Sequence, residues 1–464
     1  MSDALPLVEE LVPAPDPFAA CRRLAGLPFL VFLDSATEDE RLGRYSFLAA
    51  DPAAQLRSFS AARRLLAPWA AAPVPGLPPF QGGVAGYLSY DWGATLERVP
   101  RPRFADGAIP DAMLGVYDWV IAWDHVARRA WIIATGIPAH GRARFDRAAR
   151  RLAFVREMLA DRRTDGRADR EPRRSARPAV RPSAPSYSVP DAPHLRSNFT
   201  REGYLDAVAR VIAYVRAGDI FQANLSQRFQ APLMGTPLEL YGRLRGRNPA
   251  PFSAYLDCGE FVVASSSPER FLRVQDGRVE ARPIKGTRPR GTEPEEDAAL
   301  AVALAESEKD RAENVMIVDL VRNDLSRVCR PGTVRAPELF TVEQYATVQH
   351  LVSTVVGDLE PGHDAWDLLR AAFPGGSVTG APKVRAMQII SELEPTPRGI
   401  YCGAIGYWSV SGAVDTSIAI RTCLVRDAQV CFHAGGGIVA DSDPAEEYAE
   451  TLDKARGVIA ALAP

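Results

Sequence analysis

Short apolar runs cut by Pro- and Gly-rich turns, gathered in clusters between long helical patterns, constrain this chain more than any other feature. Phe29-Leu30-Val31-Phe32-Leu33, Val84-Ala85-Gly86-Tyr87-Leu88 and Trp119-Val120-Ile121-Ala122-Trp123 read as strands. Further strands are expected at 228–231, 261–265, 270–274, 403–408 and 430–433. Helical spacing instead marks 143–159, where Phe145, Ala149, Leu152 and Val155 recur, and 203–216, where Tyr204, Val208, Val211, Ile212 and Val215 share a face before Gly218. One long helix is expected over 297–322, another over 383–393 and a last over 444–462. Clustered strands without strict βαβ alternation predict an α+β fold: antiparallel sheets in a sandwich core, with helices packed outside.

The segment 161–190 holds eight Arg and five Pro, and no large aliphatic residue but Val180 and Val189. It reads as an exposed linker, so the division predicted is an N-terminal domain at 1–160, a linker at 161–195 and a C-terminal domain at 196–464. Residues 1–195 carry 26 basic and 22 acidic side chains, whereas 196–464 carry 29 and 35. With a net charge of −2 and an acidic second part, nothing favours nucleic acid or an anionic membrane as partner. No apolar run is long enough to span a bilayer, no CxxC pair occurs among six cysteines, and residues 1–10 lack a signal-peptide pattern, so a cytoplasmic location is expected.

Of 55 basic residues, 51 are Arg and only Lys285, Lys309, Lys383 and Lys454 are Lys. Under such a bias, a retained Lys marks a position where guanidinium cannot substitute, because an amine can lose its proton and attack carbon. Lys285 lies in the turn-forming stretch Arg282-Pro283-Ile284-Lys285-Gly286-Thr287-Arg288-Pro289-Arg290-Gly291, where cationic neighbours would lower its pKa; an ordinary basic loop is the plainer reading. Gly375 and Gly380 have phosphate-loop spacing, but Ala381-Pro382 separates Gly380 from Lys383, so a Gly turn leading into a helix is the better reading. Glu446, Glu450 and Asp453 form one acidic stripe and Glu306, Asp310 and Glu313 another. Such stripes are ordinarily solvated surface; one carboxylate from each of two helices would also suit magnesium.

Together these segments resemble the chorismate-using enzymes. The resemblance rests on seven ordered stretches: Gly218 to Gln227, Ser267 to Phe271, Pro283 to Thr287, Asp310 to Asn314, Val318 to Asp324, Gly375 to Met387 and Gly436 to Ser442. Within that family, Pro-Ile-Lys-Gly-Thr is the aminodeoxychorismate synthase pattern and Pro-Ile-Ala-Gly-Thr the anthranilate synthase pattern; Lys285 favours the former, and Asn314 supports it secondarily. The water-adding relatives carry a Lys where this chain has Gln222, which points to ammonia as nucleophile. The resemblance implies that Lys285 adds to C2 of chorismate while Glu269 protonates the departing C4 hydroxyl, after which ammonia adds at C4. It implies Mg2+ on Glu313 and Glu450, and substrate contacts from Gly286, Thr287, Tyr401, Arg421, Gly435, Gly436 and Gly437. Gly436 replaces the family's usual Ala, and Tyr401 occurs in both subtypes, as does His350. An anthranilate synthase large component is the alternative reading, and a non-catalytic tryptophan-binding homologue a third.

No Gly-x-Cys-x-Gly glutaminase elbow occurs, so the resemblance implies a separate glutamine amidotransferase chain as the ammonia source. No pyridoxal-phosphate lyase segment is expected after the last helix. Leu33-Asp34-Ser35, 43–47 and 248–252 resemble the segments of the family's tryptophan pocket, with Ser35 as polar anchor and Pro249, Ala250 and Pro251 beside it; Asp34 stands where Glu is usual. Plain domain-packing turns are the simpler account of these segments.

Overall fold

The structure, a computed structural model, describes residues 6–37, 41–160, 184–190, 192–345 and 348–463. Two antiparallel sheets, with thirteen and ten strands among the described residues, carry the fold. The first runs from Leu7–Glu10 through Arg129–Ala134, Trp119–Asp124, Tyr45–Ala49 and Val31–Asp34 into Phe252–Asp257, Val262–Ser267, Thr422–Arg426, Gln429–Ile438 and Gln222–Pro232, and ends at Ala192–Ser197 and Tyr187–Val189. The second runs from Ile284–Pro289 through Val348–Asp358, Arg278–Ala281, Arg270–Gln275, Val414–Ile418 and Ala404–Ser409 into Gly83–Leu88, Ala112–Tyr117 and Ala54–Leu56.

The strands form because alternate residues have apolar partners on two sides. Phe47, Val120, Ile133 and Val263 of the first sheet meet Ala85, Tyr87, Met113 and Ile405 of the second in one buried layer. The opposite faces are covered by helices. Pro17–Leu24, Gly141–Ala160, Pro237–Arg247 and Pro444–Leu462 pack on the first sheet, while Phe59–Leu66, Glu308–Ser326 and Ala365–Ala372 pack on the second. The sandwich with outer helices expected from the strand clusters is therefore the architecture found. Among the described residues, no helix is long and apolar enough to cross a membrane.

Three expectations change. The division at 160 and 196 does not separate layers: Val31–Asp34 pairs with Phe252–Asp257, and Gly83–Leu88 pairs with Ala404–Ser409, so both parts of the chain share both sheets. Of the linker placed at 161–195, residues 161–183 and 191 lie outside the described residues, but Tyr187–Val189 and Ala192–Ser197 are strands. Val189 and Leu195 are buried there, and Ser197 pairs with Phe229. Finally, the helix expected over 297–322 is two helices, Pro294–Glu306 and Glu308–Ser326. Ser307 leaves the helical conformation (ψ 107°) and its Oγ accepts the Asp310 N–H, a Ser-x-x-Asp cap inside one apolar pattern.

Candidate active site

Lys285 sits in a strand, not in the turn its Gly and Pro neighbours suggested. Ile284–Pro289 pairs with Val348–Asp358, and the register shifts between Ile284 and Thr287, so Lys285 and Gly286 form an irregularity that turns the lysine off the ladder. Gly286 holds φ +85°, the left-handed region that favours glycine. Burial lowers the Lys285 pKa below its ordinary value; Lys454 acts in the same direction, and Glu313, Glu269 and Glu450 oppose. The flanking guanidiniums are not the cause. Arg282 is paired with Glu343, Arg288 with Asp310 (2.8 Å) and Arg290 with Asp297 (2.7 Å).

Glu269 is 4% exposed and begins the turn into strand Arg270–Gln275. Burial pushes its carboxyl up to about 7, against a hydrogen bond from Ser377 Oγ to Oε1 (2.7 Å), the charge of Lys285 and the Ile284 N–H. The main chain fixes it: the Glu269 N–H donates to Ser267 Oγ (3.3 Å), and its carbonyl accepts from the Ile418 N–H (3.0 Å). One space thus holds an amine shifted toward its neutral form and a carboxyl shifted toward its protonated form, a pairing that suits nucleophile and general acid.

The two acidic stripes meet at this space. Burial raises the Glu313 pKa, with Asp310 and Glu450 adding and Lys285 and Lys309 opposing. Burial likewise raises Glu447, with Glu450 adding; Ser442 Oγ donates to Glu447 Oε1 (2.7 Å), and Glu447 Oε2 is buried without a partner. At Glu450 burial is outweighed by Lys454, whose Nζ lies 2.6 Å from Glu450 Oε1, and by Lys309 and Lys285, so its pKa falls. Among the described residues, no three His, Cys, Asp or Glu side chains close into a cage. An orphaned carboxylate oxygen beside two mutually repelling carboxylates nonetheless fits a hard divalent cation that keeps most of its waters. Three of the four lysines, Lys285, Lys309 and Lys454, act on this cluster, while Lys383 is buried in a pair with Asp324 (2.6 Å).

Of the remaining predicted contacts, Gly436 and Gly437 lie nearest these groups. The Lys454 ammonium donates to the Gly435 carbonyl (3.0 Å). A Cβ on Gly436 would lie 2.9 Å from Glu447 Oε2, and one on Gly437 would collide with Gln222 Nε2 at 1.7 Å and lie 3.4 Å from Lys285 Nζ. Thr287 Oγ1 is 2.8 Å from His350 Nδ1. Burial, aided by Arg421, lowers the His350 pKa to about 3, so the ring is neutral, and its Nε2 is buried without a partner. Arg421 donates to Asn248 Oδ1 (3.3 Å). Tyr401 stands further back, stacked on His433 with ring centroids 5.2 Å apart. Sequence reading left Lys454, Glu447, His350 and Ser377 without roles. The scarcity of lysine and the Glu446-Glu447 pair were signals for the first two; nothing local marked Ser377.

Ser35 and Pro251 lie elsewhere, lining a cavity of about 530 Å³ with Phe47, Tyr407, Arg44 and Arg273. Ser35 Oγ donates to the Pro251 carbonyl (3.0 Å), and the Ala36 N–H donates to the Ala250 carbonyl (3.1 Å), which closes the loop on its strand. Pro249 and Ala250 stand outside the lining, Ala250 because its side chain is buried in the loop.

A family model described as chorismate binding enzyme matches residues 30–460. The chain is 44% identical over 381 residues to aminodeoxychorismate synthase component 1 of Klebsiella aerogenes, covering 82% of this chain and 77% of that protein. It is 40% identical over 477 residues to anthranilate synthase component 1 of Streptomyces coelicolor, covering 99% and 89%. The solved anthranilate synthase component I of Streptococcus pneumoniae superposes with a TM-score of 0.75 at 30% identity, over 91% of this chain and 93% of that one.

Proposed function

The chain belongs to the chorismate binding enzyme family, and from that premise we propose that it is a component I of aminodeoxychorismate synthase, converting chorismate and ammonia to 4-amino-4-deoxychorismate for p-aminobenzoate and folate synthesis. The observation that carries this reading is the amine of Lys285, its pKa lowered by burial, close enough to the raised carboxyl of Glu269 for each charge to act on the other.

The Lys285 amine attacks C2 of chorismate; the ring double bonds shift, and the C4–O bond breaks as Glu269 gives its proton to the hydroxyl, which leaves as water. Ammonia then adds at C4, the double bonds shift back, and the lysine is expelled as free amine. Neutral His350 and Arg421 line the polar wall, where a guanidinium suits a carboxylate bidentately. Glu313 and Glu450, with Glu447 beside them, would hold Mg2+, which supplies positive charge opposite a substrate carboxylate. Ammonia comes from a separate glutamine amidotransferase chain. The Ser35 cavity would take an amino acid of tryptophan size, with an apolar wall at Phe47 and Pro251 and a polar edge at Ser35 and the arginines.

The anthranilate synthase reading draws support from a relative that spans nearly the whole chain. Product identity separates the two. Supplied with chorismate, ammonium salt and magnesium, the purified chain makes aminodeoxychorismate without free pyruvate, and Glu313→Gln or Glu450→Gln removes the magnesium dependence together with turnover. An aromatic product with equimolar pyruvate would mean the second reading.

A further inference from the structure

The glycine-rich stretch 375–383 resembles a phosphate loop only in spacing, and the structure gives it another shape. Gly376–Val378 is one 3-10 turn, followed by the two-residue strand Gly380–Ala381 and the helix Lys383–Leu393. The turn is pressed between a strand and a helix: a Cβ on Gly375 would lie 2.9 Å from Ile418 Cδ1, and one on Gly376 would lie 2.7 Å from Leu320 Cδ2. Its carbonyls at Gly375, Val378 and Thr379 already have partners. Thr379 Oγ1 donates to the Gly375 carbonyl (2.9 Å), the Asn224 N–H donates to the Thr379 carbonyl (2.7 Å), and Arg398 donates to the Val378 carbonyl (3.0 Å). Arg398 is itself buried against Glu394 (2.7 Å), which also accepts from the N–H and hydroxyl of Ser226. What this framework delivers is one hydroxyl, Ser377 Oγ, 2.7 Å from Glu269 Oε1.

We propose that Ser377 is a positioning residue for Glu269: the glycine turn exists to hold one hydroxyl against the carboxyl, orienting it and stabilising the carboxylate left after its proton has gone to the departing hydroxyl. The inference rests on the proposed role of Glu269 as general acid. The groups that bear on this carboxyl are Lys285 from strand Ile284–Pro289, Cys402 from the neighbouring segment, and Arg282 and Asp324, which line the small cavity behind it. Arg282 is paired with Glu343 and Asp324 with Lys383, so the neutral donors that favour the ionised form are the Ser377 hydroxyl and the Ile284 N–H, of which Ser377 is the side chain. Its removal lets desolvation act unopposed by that bond, and the carboxyl then holds its proton to higher pH.

The test is the pH profile of ammonia-dependent kcat for the full chain with chorismate and magnesium. Ser377→Ala should move the alkaline limb up by about one pH unit, the size expected of a hydrogen bond to a charged group, and lower kcat at neutral pH with KM for chorismate little changed. Ser377→Thr should restore both. A wild-type limb and kcat in Ser377→Ala, or equal losses in the Ala and Thr variants with unchanged limbs, would overturn the proposal. Glu269→Gln distinguishes its failure from that of its premise: near wild-type turnover in that variant would remove Glu269 as the acid, whereas an inactive Glu269→Gln beside an unshifted Ser377→Ala would refute the role of Ser377 alone.

Discussion

The pKa shifts of Lys285 and Glu269 have one cause acting with opposite signs. Burial disfavours the charged form of each, so the amine is drawn toward neutral and the acid toward protonated. The cost falls on stability. Because the Glu269 carboxyl is raised from 4.5 to about 7, the folded chain keeps a proton that the unfolded chain releases, and stability declines as pH rises through that window. Glu269→Gln, which has no proton to release, should match the wild type near pH 4 and exceed it by about 3 kcal/mol at pH 8. Denaturant unfolding at the two pH values checks this; an equal difference at both would show that the carboxyl is not raised by burial. At this scale the sequence singled out Lys285 as one of only four lysines beside 51 arginines. The cause of its lowered pKa was not legible, because each neighbouring Arg has a carboxylate partner that only the fold reveals.

Among the elements, helix limits were easiest to read where a proline opened an apolar pattern, Pro382 before Lys383–Leu393 and Pro444 at the start of Pro444–Leu462. Ser307 defeated that reading because one residue ends one helix and starts the next while the apolar spacing runs on. Strands Gln222–Pro232 and Gln429–Ile438 extend beyond their apolar cores because their Gln-, Asn- and Gly-rich ends still pair, Asn224 with Gly437 and Ser226 with Gly435. Those ends lie beside Lys285, so the alternation fails next to the candidate site. The Glu394–Arg398 pair ties these strand ends to the Ser377 turn through the Asn224 and Val378 carbonyls. Glu394→Gln leaves a buried guanidinium without its counter-charge and should cost about 3–5 kcal/mol. A fall in Tm for this variant no larger than that of an exposed Glu446→Gln control would show that the pair contributes little.

On the scale of the whole molecule, the two parts of the chain are woven into the same two sheets, so the first 160 residues are structurally inseparable from the sheets that carry the candidate site. The sequence suggested two domains because composition changes sharply at the Arg- and Pro-rich segment, whereas strand pairing across more than 200 residues leaves no local mark. Asn248 donates to Ser266 Oγ and accepts from Arg421, and the same loop continues to Pro251 at the Ser35 cavity, so one loop touches both sites. If that cavity takes an amino acid, L-tryptophan at millimolar concentration should raise Tm, and Ser35→Arg should abolish the shift; no shift in the wild type would dismiss the assignment. The central claim, that the Lys285 amine bonds to the substrate ring, is tested most directly by mass spectrometry of the chain incubated with chorismate and magnesium without ammonia. The account predicts an adduct of chorismate less one water on the peptide containing Lys285, discharged as aminodeoxychorismate when ammonium is added and missing from Lys285→Ala. Full aminodeoxychorismate synthesis by Lys285→Ala, or an adduct that ammonium does not discharge, would contradict it.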